Sequence, residues 1–338
     1  MRVGVVGAGQ GCAPHFLSLH DLQGEMELAW VIGRCPEKLA ALSLPAGAQA
    51  STRLEDLLED ASVEAVLVLT PPNTHLEIVQ RVAMAGKHVL VEKPLEINLE
   101  KAQQLVDFCD NCGIKLAVML QHRMREAARS LAQMIASGTL GSLVSASASV
   151  RWWRPQSYYD PPGRGTLARD GGGVLMTQAI HTLDLLISLT GLPDRVSAMA
   201  STSAMHRMEA EDTVAAALHY PNGAVGSIEA TTAAYPGFPE RIALNFTLGS
   251  ATLESGVLHA ELMDGRKFEA GRKETSGSDA NIMAFDHQPH RAVLEDFVAA
   301  IRDNAEPAVT GRSALQVHRL IAAIMESAGR SAPVVLKV

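Results

Sequence analysis

The chain opens Arg2-Val3-Gly4-Val5-Val6-Gly7-Ala8-Gly9-Gln10-Gly11-Cys12, and the reading of this stretch decides the fold. Arg2–Val6 is a short apolar run that ends at glycines, the pattern of a strand buried in a parallel sheet. The glycines follow the strand directly and open onto an apolar, helix-like segment. That context gives a G-x-G-x-x-G turn its meaning. Gly7 permits the tight turn and Gly9 lets backbone approach a pyrophosphate. The helix N-terminus behind them offers free N–H groups and a partial positive charge. The third position is Cys12, small enough for close helix–strand packing, with Gly11 adding slack. The expected ligand is a nicotinamide dinucleotide held around Gly7, Gly9, Gln10, Gly11 and Cys12.

Working outward, strand patterns recur at Leu28–Ile32, Ala65–Leu69, His88–Val91 and Lys115–Met119. Helical patterns lie between them, at Leu54–Leu58, His75–Ala85 and Leu99–Cys112, the last behind a cap at Asn98. This alternation predicts a doubly wound α/β Rossmann domain over residues 1–120. After residue 123 the texture changes. A helix is expected over Ala127–Ser137, then strands over Ser142–Val150, Arg195–Ala200, Thr213–His219, Ala224–Ala230, Arg241–Thr247 and Ala251–Glu254. Tyr220-Pro221-Asn222-Gly223 marks a hairpin turn between two of them. Helices at Arg291–Arg302 and Gly311–Ala328 and a strand at Pro333–Val338 close the chain. Residues 121–338 therefore read as an α+β domain with a large, mostly antiparallel sheet, its C-terminal helices packing back toward the first domain. Gly271–Asn281 reads as a loop.

The end of the second strand addresses the cofactor. An NAD site carries Asp or Glu about 20 residues past the glycines, to bind the ribose 2′-hydroxyl. Here the sequence is Val31-Ile32-Gly33-Arg34-Cys35-Pro36, with no carboxylate and with an arginine suited to phosphate. NADP(H) is expected over NAD(H). The alternative is a solvated loop arginine in an enzyme that accepts both.

Charge and composition exclude other classes. The net charge is −8, from 29 basic and 37 acidic side chains, which argues against nucleic acid or an anionic membrane as partner. No apolar run approaches a membrane span and no signal-peptide pattern opens the chain, so cytoplasmic residence is expected. Cys109 and Cys112 form a C-x-x-C, but no second pair or H-x₃-H completes a metal site, and no metal is expected.

Further motifs carry a family resemblance. They are Gly7-x-Gly9-x-x-Cys12-x-x-His15, Thr70-Pro71-Pro72-x-x-His75, Ala85-Gly86-Lys87-His88-Val89-Leu90-Val91-Glu92-Lys93-Pro94-Leu95, Gln121-His122-Arg123, and Asp170-Gly171-Gly172-Gly173 running on to His181-Thr182-Leu183-Asp184. Over essentially its whole length the chain resembles the Gfo/Idh/MocA oxidoreductases (glucose–fructose oxidoreductase, inositol dehydrogenase and relatives). The resemblance implies the two-domain fold just read, and Lys93 and His181 beside the nicotinamide. It implies Thr70, Pro71, His75 and Glu92 in the cofactor site. It also implies hydride transfer on a secondary alcohol or ketone of a sugar, polyol or similar ring, and a homodimer or homotetramer that pairs sheet faces. Relatives that hydrolyse glycosidic bonds with a retained cofactor, and non-catalytic NADP-binding regulators, are the alternatives. Thr177 stands where many members carry Asp.

The residues support this chemistry. Hydride transfer needs a proton moved at oxygen, by a group that donates and accepts near neutral pH. Lys93 follows a buried strand, and desolvation lowers a lysine pKa toward that range. Thr177, His181 and Asp184, at i, i+4 and i+7, are expected on one helix face, with Thr177 and His181 catalytic and Asp184 a packing partner. The aromatic and arginine-rich Arg151-Trp152-Trp153-Arg154-Pro155-Gln156-Ser157-Tyr158-Tyr159-Asp160 reads either as a substrate wall or as a loop packed over the sheet. Candidate substrate contacts are Arg123, Arg154, Tyr158, Gln178 and Tyr235. Glu92, by strand alternation, points away from Lys93. His287 and His290 read as surface residues.

Overall fold

A computed structural model describes residues 1–274 and 286–336. The chain divides into two compact units: Met1–Gln121 with His287–Leu315, and His122–Asp286 with Gln316–Val338.

The first unit is built on six parallel strands: β1 (Arg2–Val6), β2 (Glu27–Ile32), β3 (Gln49–Ser51), β4 (Ala65–Val68), β5 (His88–Val91) and β6 (Leu116–Val118). Their order is β3-β2-β1-β4-β5-β6. Val3, Val5, Ala65–Val68 and Val89–Val91 are wholly buried, as near-continuous apolar strands covered on both faces should be. The connecting helices are α1 (Ala13–Asp21), α2 (Pro36–Ala40), α3 (Leu54–Leu58), α4 (His75–Met84) and α5 (Leu99–Asn111). Asn98 caps α5 through its side chain, accepting from Lys101 N at 2.9 Å, as expected. The strand order reverses between β1 and β4, and in such sheets ligands bind at that switch point, off the carboxyl ends of the strands. β3 is absent from the sequence reading. It is a three-residue edge strand with an exposed Gln49 and Ala50, so no apolar pattern announces it.

The second unit carries a nine-stranded sheet. Its strands are β7 (Leu143–Arg151), β8 (Arg195–Ser201), β9 (Thr213–His219), β10 (Val225–Thr231), β11 (Arg241–Phe246), β12 (Gly249–Glu254), β13 (Val257–Leu262), β14 (Lys267–Gly271) and β15 (Val334–Val335). All neighbours pair antiparallel except β7 and β10, which run parallel through Ser145↔Val225 to Arg151↔Thr231. β13 and β14 extend the sheet beyond the expected last strand. β13 alternates in burial, with Leu258, Ala260 and Leu262 inward. Gly271 ends β14 rather than opening a loop. The rest of the expected loop, from residue 275, and the last two residues of the expected final strand lie outside the described residues.

Helices α6 (Glu126–Ala136), α7 (Leu167–Asp170) and α8 (Ile180–Thr190) belong to this unit, with a π-helical turn, Leu175–Ala179, leading into α8. Contrary to the sequence expectation, Leu167–Thr190 is long and apolar enough to span a membrane, yet 89% of that stretch is buried inside the protein. It is a core helix. Late in the chain α9 (Gln288–Arg302) packs on α1, and α10 (Gly311–Arg330) follows.

Candidate active site

Gly7 has φ +111°, and a Cβ there would stand 2.8 Å from the carbonyl carbon and oxygen of Leu69. Only glycine fits, because the ends of three strands converge on it. Gly7 N donates to Ile32 O at 2.8 Å, and Leu69 N donates to Val6 O at 2.8 Å. Gly9 and Gly11, by contrast, face open space, with nothing within 4 Å of where a Cβ would stand. This is the geometry a pyrophosphate needs: a tight turn, then bare backbone leading into α1. Cys12 is buried, and its thiol donates to Gly7 O at 3.1 Å. Burial pushes that thiol up to about 11, so it is a neutral packing group. The backbone of Gln10 lies in the short 3₁₀ turn; its side chain lies outside the described residues.

At the end of β2, Gly33 leaves room that a side chain would fill, since a Cβ would meet Leu39 at 3.0 Å. Arg34 is exposed and, among the described residues, has no ion-pair partner. Thr70 and Pro71 follow β4 half-buried, tied together by the Thr74 hydroxyl, which lies 2.8 Å from both Thr70 Oγ1 and Pro71 O.

Lys93 follows β5, half-buried. Two neighbours, Glu92 and His75, tie the loop around Lys93 to the rest of the unit. One Glu92 oxygen lies 2.7 Å from His15 Nε2, and the other accepts from Lys93 N at 2.9 Å. Burial pushes the Glu92 carboxyl up, but the His15 hydrogen bond and the positive groups around it outweigh this and bring it down to about 2. His75 is fully buried. Its Nε2 lies 2.8 Å from Thr70 O, and its Nδ1 3.0 and 3.2 Å from Pro94 O and Leu95 O. It therefore joins the loop after β4 to the loop after β5, with no nitrogen left for a cofactor. Burial holds its pKa down.

His290 corrects the surface reading. It is buried edge-on to His15, ring centroids 5.4 Å apart, and burial together with the charge on His15 drives its pKa down to about 3. The signal was in the sequence, since 290, 293, 294 and 297 fall on one helix face and all are buried. His287 is not a free surface group either; its ring lies 2.8 Å from an Asp21 oxygen. Donor atoms of His15, Glu92 and His290 lie within 4.8 Å of one another. Zinc at roughly 2.0–2.1 Å from each donor would spread tetrahedral ligands to roughly 3.3 Å. The 2.7 Å contact between His15 and Glu92 is a hydrogen bond.

In the second unit the triple glycine has a specific cause. A Cβ on Gly173 would collide with the Glu211 carbonyl. The Glu211 carboxylate accepts from Gly173 N at 3.0 Å and Leu175 N at 3.1 Å, capping the helix start. From Gly172 to Ile187 every residue is buried except Thr177, which is half-exposed. Thr177 lies in the π-helical turn, so the simple i, i+4 face expected for Thr177 and His181 does not hold. Its hydroxyl lies 2.7 Å from Gly173 O and bonds Gln178 Oε1. His181 is buried and stacked on His122, centroids 4.9 Å apart and planes 29° apart.

Asp184 is the packing partner expected: fully buried, it accepts from Arg123 Nε at 2.7 Å and Nη2 at 2.5 Å. Arg123 is thereby committed to Asp184 through a two-point ion pair rather than held open for substrate. Burial pushes the Asp184 carboxyl up, and Arg123 offsets part of this. Arg154 is likewise no open contact. It is 2% exposed, faces the Trp152 and Tyr158 rings and donates to Trp153 O at 2.8 Å. Gln178 is buried and donates to Tyr158 Oη at 3.3 Å. Tyr235 is exposed and packs edge-on against Trp153. The aromatic segment is anchored by residues the sequence reading passed over: buried His206 lies 2.7 Å from an Asp212 oxygen and 2.8 Å from Arg154 O. No local motif marks that pair, which sits on the segment between β8 and β9. Cys109 is buried, its thiol pushed up to about 12 by burial and neighbouring acidic groups, which suits packing rather than redox exchange.

A parallel sheet with a glycine turn at its switch point, and a lysine at the end of β5, define a dinucleotide-binding oxidoreductase architecture. Residues 1–120 match the oxidoreductase family with an NAD-binding Rossmann fold, and residues 128–252 match the Gfo/Idh/MocA C-terminal domain; the chain belongs to the Gfo/Idh/MocA family. It is similar in structure to the WlbA dehydrogenase of Bordetella pertussis, solved with NADH and UDP-GlcNAcA. That match has 30% identity and a TM-score of 0.85, covering 100% of this chain and 99% of the other. A D-xylose 1-dehydrogenase (NADP(+)) of Haloferax volcanii is 27% identical over 83% of each chain. An uncharacterised oxidoreductase of Schizosaccharomyces pombe is 30% identical, the match spanning 65% of this chain and 61% of the relative.

Proposed function

We propose that this chain is an NADP(H)-dependent dehydrogenase or reductase acting on a secondary alcohol or ketone of a sugar, polyol or similar cyclic substrate. The observation that carries this is Lys93 pinned by its own backbone to Glu92, in the same unit as the open Gly9 and Gly11 backbone. The dinucleotide, when bound, takes up or supplies the hydride. Gly7, Gly9 and the start of α1 bind its pyrophosphate. Arg34, unpaired beside Gly33, binds the 2′-phosphate. The Lys93 ammonium orients the substrate oxygen and gives or takes its proton, and His181 is the second acid–base group. The relatives support the class from both sides, one named for NADP(+) and one solved with NADH. We further propose a homodimer or homotetramer formed through the open face of the nine-stranded sheet. Ala215, Ala217, Ser227 and Asn245 there are small or polar and exposed.

Lys93→Met tests the reading. Cofactor affinity should persist while turnover on a panel of sugars and polyols falls roughly 10²–10⁴-fold. Near-normal turnover would sink it. Release of a free sugar with no net cofactor turnover would instead mark a cofactor-retaining glycosidase.

A further inference from the structure

We propose that the substrate ring carries a carboxylate, and that Arg164 on Tyr158 is the subsite that holds it. This names the substrate class within the dehydrogenase reading above and rests on that reading. Arg164 is half-buried, its guanidinium over the Tyr158 ring at 4.3 Å from the centroid. Among the described residues its side chain has no ion pair and no hydrogen bond; the ring is what it touches. The acidic groups of the same stretch are engaged elsewhere. Asp160 accepts from Gln156 Nε2 at 2.9 Å, and Glu209 accepts from Leu167 N at 3.1 Å. Asp170 accepts from Gly165 N at 2.7 Å and lies 3.5 Å from Arg169. A partly desolvated guanidinium with one side on an aromatic ring and no counter-charge is suited to an anion brought by a ligand.

The pair is held in place, unlike a loose surface arginine. Arg164 N donates to Pro161 O at 3.1 Å, and Ala210 N donates to Gly165 O at 3.1 Å. Gly165 has φ +72°, and a Cβ there would press on Met208 at 3.1 Å and Tyr159 at 3.3 Å. Tyr158 is fixed by Gln178, whose Nε2 donates to its Oη at 3.3 Å, and Gln178 is bonded in turn by the Thr177 hydroxyl. Thr177 is the half-exposed residue of the buried stretch from Gly172 to Ile187, which also carries His181. A continuous set of contacts thus runs from the Arg164 guanidinium to the reacting side of this unit, and a site ordered in advance spares the ligand that cost. The fork of one guanidinium matches the two oxygens and the single charge of a carboxylate. Arg154, also on Tyr158 at 5.5 Å, is 2% exposed and donates to Trp153 O, so it is not a second open cation for a phosphate dianion.

The test is calorimetric titration of the full chain, saturated with NADPH or NADH. The probes are matched sets of a hexuronate, its parent hexose and the hexose 6-phosphate, in the gluco, galacto and manno configurations. At least one hexuronate should bind about ten- to a hundredfold more tightly than its parent hexose. Arg164→Gln should bring that ratio close to one, and Arg164→Lys, which keeps the charge without the fork, should retain part of it. No hexuronate ahead of its parent, or a ratio unchanged in Arg164→Gln, overturns the proposal. A preference for the 6-phosphate over the hexuronate overturns the carboxylate assignment. The wild-type comparison decides the substrate class even if a variant does not fold. Binding needs no turnover, so a hexuronate that binds through Arg164 yet reacts with neither cofactor would sink the dehydrogenase reading and leave the subsite standing.

Discussion

Arg34 follows a glycine at the end of β2, where a carboxylate would otherwise meet a ribose hydroxyl, and it is exposed without an ion-pair partner among the described residues. A charge-assisted phosphate contact contributes roughly 1.5–3 kcal/mol, or about ten- to a hundredfold in affinity. Arg34→Ala should weaken NADPH by that factor and leave NADH level, read by titration calorimetry. Equal losses for the two cofactors would refute the phosphate role. At this scale the sequence was legible where a residue's job depends on its own backbone. Gly7 is such a case, because its turn is local. His75 and Glu92 were only partly legible for the opposite reason: their partners, Pro94 O, Leu95 O and His15, are fixed only by strand order.

Helix α8 with its leading π-helical turn is buried almost throughout, so a charge on it must be matched. Asp184 and Arg123 do this for each other. Removing one partner leaves the other charged and desolvated, at a cost of about 3–5 kcal/mol. Asp184→Ala should therefore lower the urea midpoint strongly, and the double variant Arg123→Met with Asp184→Leu should recover much of the loss. If the single variant unfolds like the wild type, the ion pair is not what holds α8. The helix was visible in one dimension, the length of its apolar run was not. The π-helical turn was not visible either; the Glu211 carboxylate that bonds its start, at Gly173 and Leu175, sits on the segment before β9.

Across the molecule, the sign of the pH dependence follows from His290 and Glu92. An unfolded histidine titrates near 6.5, and His290 in the fold near 3, so the unfolded chain binds the extra proton between these values. Stability is complete above pH 6.5 and falls as the pH drops toward 3. Glu92, lowered from 4.5 to about 2, adds to the loss below pH 4.5. Asp184 and Glu211, raised by burial, act in the opposite sense. Between pH 6.5 and 4.5 His290 should remove about 2 kcal/mol. Urea unfolding at the two pH values checks this, with His290→Gln expected to flatten the slope; an equal slope in the variant would remove His290 as the cause. Sequence alone settled the alternation of strand and helix, the glycine turn, the absence of a carboxylate after β2 and the change of texture after residue 123. Each of these is written in neighbouring residues, through periodicity, backbone freedom and local spacing. The tertiary structure decided the rest: the extra strands β3, β13 and β14, the burial of His290, and the pairings His15–Glu92, Arg123–Asp184 and His122–His181. Most of these contacts join residues dozens to hundreds of positions apart, and a side chain's charge and exposure depend on which strands and helices the fold sets beside it.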